Sequence, residues 1–381
     1  MNPSPALAQL DVRLREAIVR TSPCERFQRL DEQKVFDAEL HATLGAEGVW
    51  GMGIPQDAGG SGGGTAEQMI ALRALGHHAT SMGMFGVVHF LCTRILLANA
   101  DAAQREQFLR PLAQARVEAA FCLTEKQGGT DILRLMETRA VREGDAWLLN
   151  GVKTWICGAD QADFLIVVAR TAPGKTDGVS MFLVPRQSPG IVVERLRTFA
   201  VNGYSACEVR FQGVRVAAEN VLGEPGQGFR QLLAMLNAER LSASANALGM
   251  AQGALAVAAE YARERQAFGK TLSQFQAVQH KLANAALAYE LGWTYLMAAA
   301  AAGDRGEAID VASSMAKLAA VNAAQEAADV GMEILGAAAF DLGNPMQRYY
   351  RDHRLYVIAP LNNDMSRSLV AERYFGLPRG F

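Results

Sequence analysis

Residues 120–131 read AFCLTEKQGGTD, and they lie where the pattern of the chain changes from helical to strand-like. The segment places glycines beside hydroxyl groups and backbone N–H groups, a combination that suits a pyrophosphate or the edge of a planar ring. A polar turn between two strands has the same composition. The segment alone therefore leaves two interpretations open, a binding loop and a simple turn.

The chain divides into three regions around this segment. Residues 1–118 carry apolar side chains at helical spacing, as in EQMIALRALGHHA, and a glycine-dense stretch, GGSGGG, interrupts them. That stretch lacks the GK[ST] ending of a phosphate-binding P-loop, so we expect a turn that leads into the next helix. Residues 119–225 contain short apolar runs such as FLIVVAR and VSMFLVP, which predict a β domain. Residues 226–381 show helical periodicity and predict a helical bundle, which makes the protein α+β.

The composition argues against several classes of protein. Lys and Arg number 37 against 39 Asp and Glu in 381 residues, a balance that argues against nucleic-acid binding. Polar residues interrupt every apolar run and the N-terminus has no signal-peptide core, so we expect no membrane span and a cytoplasmic protein. The five cysteines form no CxxC pair and no cluster with histidine, so we expect reduced thiols and no metal site.

Three further motifs follow in order along the chain. Asn150-Gly151 predicts a tight hairpin turn, and Trp155 offers an aromatic ring that can cover a planar group. ERQAFGK at 264–270 ends one predicted helix, and FQAVQ at 275–279 begins another. Together with IPQDAGGSG at 54–62 and the segment 120–131, this ordered set resembles the motifs of the acyl-CoA dehydrogenase family over nearly the whole chain. The resemblance implies an N-terminal helical domain, a central β-barrel domain and a C-terminal four-helix bundle.

The resemblance also implies a site for FAD and for an acyl thioester. Trp155 would cover the isoalloxazine ring, with Cys157 beside its N5. The other residues implied to line the flavin are Phe121, Leu123, Thr124, Gly129, Thr130 and Ile156. Asn362 and Asp364 are implied to touch the adenine half of FAD. The residues implied to reach the FAD of a neighbouring subunit are Arg265, Phe268, Gln276, Glu333 and Gly336. The residues implied to contact the substrate are Thr130, Asn237, Arg240 and Leu361.

The catalytic base implied by the resemblance is Glu239. The chemistry needs a carboxylate that takes the α-proton of the thioester while hydride leaves the β-carbon for flavin N5. Most of the family supplies a glutamate near the C-terminus, and Pro360 stands at that position here. A minority, including isovaleryl- and long-chain enzymes, supplies the base from a helix, and Glu239 in LNAER at 236–240 matches that arrangement. A second interpretation stays open, in which Glu239 only caps a helix or pairs with Arg240.

Pro360 has a second consequence, which concerns the thioester oxygen. In the family this oxygen accepts one hydrogen bond from a ribityl hydroxyl and one from the backbone N–H at this position, and proline has no N–H. Another group holds the oxygen, or the thioester sits differently, or the reaction is not ordinary dehydrogenation. Cys157 in place of a threonine, Glu333 in place of a glutamine and alanines after Gly336 are milder departures, and they imply weaker FAD binding.

The resemblance therefore implies an FAD-dependent α,β-dehydrogenase of an acyl-CoA thioester. It implies an electron-transfer flavoprotein as electron acceptor and a homo-oligomer, either a dimer or a tetramer. One alternative is an enzyme that oxidises or reduces a thioester tethered to an acyl-carrier protein in a biosynthetic pathway. The other is a catalytically silent scaffold of the same fold, which would have no need of Glu239 or of the flavin-lining residues.

Overall fold

The computed structural model describes residues 4–174, 176–378 and Gly380. The chain forms a group of helices, then a β-sheet, then a helical bundle. The chain leaves the first group after Ala113, enters the sheet at Ala119 and begins the bundle at Gly228. The α+β architecture expected from the sequence is confirmed.

The first region is helical, and polar side chains cap several of its helices. Its helices are α1 (Pro5–Thr21), α2 (Cys24–Gln33), α3 (Ala38–Ala46), α4 (Thr65–His78), α5 (Thr80–Asn99), α6 (Ala102–Gln104) and α7 (Arg110–Ala113). Ser4 and Asp37 accept backbone N–H bonds at the starts of α1 and α3. The glycine-dense turn leads into α4, and the Glu67 carboxylate accepts from the Gly64 N–H at 2.8 Å. The turn is thus the entrance to a helix, as expected.

Helix α5 is long and apolar enough to cross a membrane by length and composition, and most of it is buried inside the protein. The sequence-based expectation that no segment reaches this length was therefore wrong, because Arg94 is the only charged residue of α5. The helix packs against α4 and α9, the latter spanning Gly228–Glu264. Its apolar character is that of a core helix enclosed by other helices.

The middle region is one sheet of eight strands. They are β1 (Ala119–Cys122), β2 (Arg139–Glu143), β3 (Ala146–Cys157), β4 (Phe164–Arg170), β5 (Val179–Pro185), β6 (Ile191–Arg195), β7 (Ala206–Ala217) and β8 (Val221–Leu222), with the short helix α8 (Ile132–Leu135) after β1. The strand order is β6-β7-β3-β2-β4-β5-β8, and β1 pairs in parallel with β4. Apolar side chains from several strands, among them Leu165, Phe182 and Val209, form a core of the sheet's own. Strand β5 contacts α9 of the bundle, and β1 contacts α5 of the first region.

The predicted hairpin turn at Asn150-Gly151 is wrong. Both residues lie inside β3, where the pairing with β7 shifts register, and the β2–β3 hairpin turns at Gly144 and Asp145 instead. Gly151 has φ 146°, and a Cβ there would lie 2.5 Å from Thr138 Oγ1. Glycine is required by this close approach within a β-bulge, so the turn preference of Asn-Gly is overridden by the packing.

The last region is a bundle of long helices. Its helices are α9, α10 (Gln276–Asp304), α11 (Asp310–Leu335), α12 (Met346–Asp352), α13 (Leu355–Ile358) and α14 (Asn363–Phe375), and the small hairpin β9 (Gln266–Ala267) and β10 (Lys270–Thr271) separates α9 from α10. Helix α9 packs on α4, α10 and α11. A Cβ on Gly249 of α9 would lie 2.3 Å from the Arg73 carbonyl oxygen of α4, so the two helices approach closely. Because α9 runs the length of the bundle, it carries residues to both of its ends.

Candidate active site

Two segments predicted to line the flavin are joined directly. The Thr154 N–H donates to the Thr124 carbonyl at 2.9 Å. The ammonium of Lys153 is fully buried and donates to the Leu123 carbonyl at 2.9 Å and to Glu125 Oε1 at 2.7 Å. Burial alone would raise the pKa of Glu125, but Lys153, together with hydrogen bonds from Thr138 and Glu137, outweighs burial and holds the pKa below its usual value. The end of β1 and the end of β3 therefore form one rigid unit.

Trp155 and Cys157 are positioned by a bulge in β3. The pairing with β7 shifts between Lys153 and Ile156, and Trp155 there has φ 61° with 60% of its surface exposed. Ile156 beside it is buried. Burial, followed by the nearby carboxylate of Glu239, raises the pKa of the Cys157 thiol to about 12. The exposed ring of Trp155 thus lies two residues before the thiol of Cys157, which stays protonated and can donate a hydrogen bond.

Glu239 lies in the interior of α9 and its side chain is partly buried. Arg240 donates to Asn237 Oδ1 at 2.5 Å and to Ser313 Oγ at 3.3 Å, and within the part of the chain that the structure describes Glu239 has neither a salt bridge nor a hydrogen-bond partner for its carboxylate. The alternative interpretation of Glu239 as a cap or as an ion-pair partner of Arg240 is therefore contradicted. Burial raises the pKa of Glu239 to about 7, and Arg240 partly opposes this.

The carboxylate of Glu239 acts electrostatically on groups of three other elements. It raises the pKa of Cys92 on α5, of Cys157 at the end of β3 and of Tyr356 on α13, in each case after the larger effect of burial. A desolvated carboxylate without an ion-pair partner, titrating near neutrality, can exchange a proton with a bound molecule.

The segment between α13 and α14 meets the glycine-containing loop after β1. Asn362 Nδ2 donates to Thr130 Oγ1 at 3.2 Å, and Asn362 Oδ1 accepts from the Met365 N–H at 2.8 Å and caps α14. Gly129 is exposed, and a Cβ on it would contact nothing within 4 Å. Asp364 is exposed and pairs with Arg367. The structure thus brings Thr130 and Asn362 together beside open space, with Leu361 adjacent in the chain.

The second group of predicted cofactor residues lies at the opposite end of the bundle. The members, all exposed, are Arg265, Phe268, Gln276, Glu333 and Gly336. They gather where α9 ends, α10 begins and α11 ends, and an ion pair of Lys281 with Glu333 connects the last two helices. At 1.5 Å per residue, the end of α9 lies about 37 Å along the helix from Glu239. The two predicted groups of cofactor residues, each a predicted half-site, therefore lie far apart within one chain.

The residues present at the two ends of the bundle fit different parts of FAD. Near Glu239, the exposed Trp155 ring and the protonated Cys157 thiol suit an isoalloxazine ring. At the far end, Gly336 has φ 58° and open space where a Cβ would stand, so the backbone can be approached closely there. The same end carries the Arg265 guanidinium, a group that suits a pyrophosphate. Among the described residues no group of three or more His, Cys, Asp or Glu could hold a metal ion.

Two buried lysines were missed by sequence reasoning. Lys153 pairs with Glu125, and both residues lie inside motifs whose predicted role rests on their glycines and on Trp155. Lys317 on α11 is fully buried and binds the segment after Pro360. The sequence does contain an indication of this role, because Lys317 lies on the alanine-rich face formed by Ala316, Ala320 and Ala324. An unpaired ammonium on such a buried face would be costly, so a partner is expected.

Comparisons with known proteins agree along the whole chain. Profiles of three domains match: acyl-CoA dehydrogenase N-terminal domain at residues 14–116, middle domain at 120–214 and C-terminal domain at 226–375. A probable acyl-CoA dehydrogenase, FadE25 of Mycobacterium tuberculosis, is 31% identical over 90% of this chain and 88% of its own. The glutaryl-CoA dehydrogenase of Desulfococcus multivorans is 34% identical over 89% and 88%.

Solved structures agree as well. A glutaryl-coenzyme A dehydrogenase in complex with glutaryl-CoA has a TM-score of 0.95 at 31% identity, covering 100% of this chain and 97% of that one. A glutaryl-CoA dehydrogenase from Mycobacterium smegmatis in complex with FADH2 has a TM-score of 0.93 at 25% identity, covering 100% and 96%. A chain solved in work on the electron transferring flavoprotein of Acidaminococcus fermentans has a TM-score of 0.95 at 27% identity, covering 98% and 99%.

Proposed function

The chain belongs to the acyl-CoA dehydrogenase family, an FAD-dependent class of oxidoreductases acting on CH–CH groups, and on that premise we propose that it dehydrogenates an acyl-CoA thioester with Glu239 as the base. The observation that supports the role of Glu239 is its unpaired, partly buried carboxylate, which contributes to the raised pKa of Cys157 and itself has a pKa of about 7. When bound, FAD supplies the acceptor for hydride from the β-carbon at its N5.

The protein's own residues have separate tasks in this proposal. Glu239 takes the α-proton of the thioester. Arg240 does not neutralise it, since its guanidinium is bound to Asn237 and Ser313. Trp155 covers the flavin ring, and the Cys157 thiol donates to a ring nitrogen. The Lys153–Glu125 pair keeps the two flavin-lining segments in register.

The proposal extends to partners and location. A homo-oligomer of at least two chains is expected, because the second half-site of each chain lies too far from its own Glu239 to serve the same FAD. We propose an electron-transfer flavoprotein as acceptor and a cytoplasmic location.

Anaerobic titration of the purified yellow protein with acyl thioesters tests the proposal. Butyryl-, isovaleryl-, octanoyl- and glutaryl-CoA, and the same acyl groups on an acyl-carrier protein, are compared for loss of the oxidised-flavin absorbance. The proposal expects at least one CoA thioester to reduce the flavin within seconds, and Glu239→Gln protein with equal FAD content to remain oxidised on that time scale. If only the carrier-protein thioesters reduced the flavin, the substrate would be a carrier-protein thioester and not a CoA thioester. Flavin that no thioester reduces would contradict the proposal.

A further inference from the structure

An exposed thiol lies against a buried guanidinium where α2 of the first region contacts α12 of the bundle. Cys24 is the first residue of α2, and it is the only exposed cysteine of the five. Arg348 on α12 donates from Nη2 to Cys24 Sγ at 3.7 Å. The guanidinium also lies over the ring of Phe27, with 5.4 Å between Cζ and the ring centroid. The thiol is therefore open to solvent on one side and in contact with a cation on the other.

Arg348 lacks an anionic partner. Only 3% of its surface is exposed, its Nη1 is buried without a hydrogen-bond partner, and among the described residues it forms no salt bridge. The carboxylate of Asp31, which also lies on α2, is bound to Arg351 instead. A buried cation whose side chain donates only to a thiol is costly, because the sulfur of a thiol is a weak acceptor. A negative charge at Cys24 would remove this cost.

Two successive reactions with hydrogen peroxide convert a thiol into such an anion. In the first, the sulfur attacks a peroxide oxygen, an S–O bond forms, the O–O bond breaks, and a sulfenic acid and water result. A second peroxide molecule adds another oxygen in the same way and gives a sulfinic acid and water, and the sulfinic acid loses its proton at neutral pH. In each step the sulfur loses two electrons and the peroxide gains them.

A sulfinate at Cys24 matches the guanidinium in geometry as well as in charge. Its two oxygens are attached to one atom, as in a carboxylate, and the planar fork of an arginine binds such a pair through N–H···O bonds of about 2.7–2.9 Å. Nη2 of Arg348 is already directed at Sγ, and Nη1 is free. No side chain caps the start of α2, where a negative charge also interacts favourably with the helix dipole. A sulfenic acid or a mixed disulfide would place no comparable anion beside Arg348.

The other four cysteines are protected from this reaction. Cys92, Cys122 and Cys207 are buried, and Cys157 is half-buried. Burial, as the largest cause, raises the pKa of the Cys122, Cys157 and Cys207 thiols to about 12. Because the thiolate is the form that attacks a peroxide, these thiols react slowly at neutral pH.

We propose that Cys24 is a modification site for hydrogen peroxide, and that Arg348 binds the resulting sulfinate and so strengthens the contact between α2 and α12. The inference is independent of the proposed dehydrogenation, since neither residue belongs to the flavin or thioester site.

Peroxide treatment of the FAD-loaded protein tests the modification. The protein is kept dilute to limit disulfides between chains, and its tryptic peptides are analysed by mass spectrometry. We expect two oxygen atoms on Cys24 before any appear on another cysteine, together with a melting temperature that rises by about 2 °C. Cys24→Ser is the control for oxidation of methionines, and its melting temperature should not rise.

A pair of variants tests the role of Arg348 without peroxide. Aspartate has the shape of a cysteine sulfinate, with two oxygens on the atom attached to Cβ, so Cys24→Asp mimics the product and Cys24→Asn is its neutral control. We expect Cys24→Asp to melt about 2 °C above Cys24→Asn, and most of this difference to disappear when both also carry Arg348→Met. The helix dipole alone would leave the difference unchanged by Arg348→Met.

Three results of the peroxide experiment would overturn the inference: oxidation of another cysteine first, a Cys24 that ends as a disulfide, or a Cys24 sulfinate without a rise in melting temperature. An Asp–Asn difference of the same size with and without Arg348 would overturn it as well. If Arg348→Met does not fold, the Cys24 pair with Arg348 intact decides, and equal melting temperatures of Cys24→Asp and Cys24→Asn contradict the proposal.

Discussion

The carboxylate of Glu239 and the thiol of Cys157 interact electrostatically, although they belong to two different regions of the protein. Glu239 lies on α9 of the bundle and Cys157 at the end of β3 in the sheet, and the carboxylate contributes to the raised pKa of the thiol. The thiol therefore stays protonated, whereas Glu239, with a pKa of about 7, exchanges its proton near neutrality. A fixed donor and a titrating acceptor in one space are what α,β-dehydrogenation needs from the protein.

The rate of flavin reduction is expected to rise with pH. Glu239 accepts a proton only when ionised, so the rate at saturating thioester should climb through about pH 7 and then level off. A bound acyl chain excludes further water, which moves the midpoint upward. Anaerobic stopped-flow measurements on both sides of pH 7 check this, and a rate that does not vary with pH would show that a different group is the base.

The contribution of Glu239 to the stability of the FAD-free protein is expected to fall with pH, whereas the rate of flavin reduction rises. Folding raises the pKa of Glu239 from its unfolded-state value, near 4.5, to about 7. The protonated side chain therefore contributes its full stabilisation of the folded state below about pH 4.5, and this contribution is lost as pH rises through about 7. Glu239→Gln should therefore raise the melting temperature more at pH 8 than at pH 5. A difference between variant and wild type that is the same at both pH values would mean that Glu239 is not held in a desolvating environment.

Mixed oligomers are expected to recover activity from two inactive variants. Glu239→Gln disables the base, and Arg265→Glu disables the half-site that each chain offers to its neighbour. In a mixed dimer, the chain with intact Glu239 receives intact Arg265 from its partner, so co-expression should restore up to about a quarter of the active sites. No recovery in mixed oligomers isolated with two affinity tags, or a single-chain mass with FAD bound, would contradict the shared site.

Removal of one partner from the buried ion pair of Lys153 and Glu125 is expected to destabilise the protein more than removal of one partner from an exposed ion pair. Lys153→Met leaves the Glu125 carboxylate unpaired in a buried position, which should cost about 3–5 kcal/mol in the free energy of unfolding. The control is Asp145→Asn, which breaks the exposed pair with Arg215 and should cost about 1 kcal/mol or less. Urea denaturation of both variants measures the difference, and similar losses would show that the buried pair has no special role.

The sequence predicted the layout of the fold but not its internal contacts. The spacing of apolar residues predicts helices, strands and their order, because each helix or strand buries one face and its apolar residues recur with the period of that element. Asn150-Gly151 was misread because a local turn preference does not show that Thr138, which directly precedes β2, approaches Gly151. Lys317 was missed for the same reason, since its partners lie 44 and 46 residues further along the chain. The candidate site was predicted by motif resemblance, whereas its distances and pKa shifts depend on docking of the bundle against the sheet.

Anaerobic reduction of the bound flavin in Glu239→Gln protein tests the account most directly. The substitution keeps the shape of the side chain and removes only its ability to accept a proton, so FAD content and thioester affinity should stay close to wild type. The rate of flavin reduction by the thioester that reduces the wild type fastest should fall by about 10²–10⁴-fold. The control is Asp364→Asn, expected to weaken FAD binding mainly, with near-normal reduction of the FAD that remains. Reduction of Glu239→Gln at the wild-type rate, with Asp364→Asn inactive although FAD is bound, would contradict the account and return the base to the C-terminal segment.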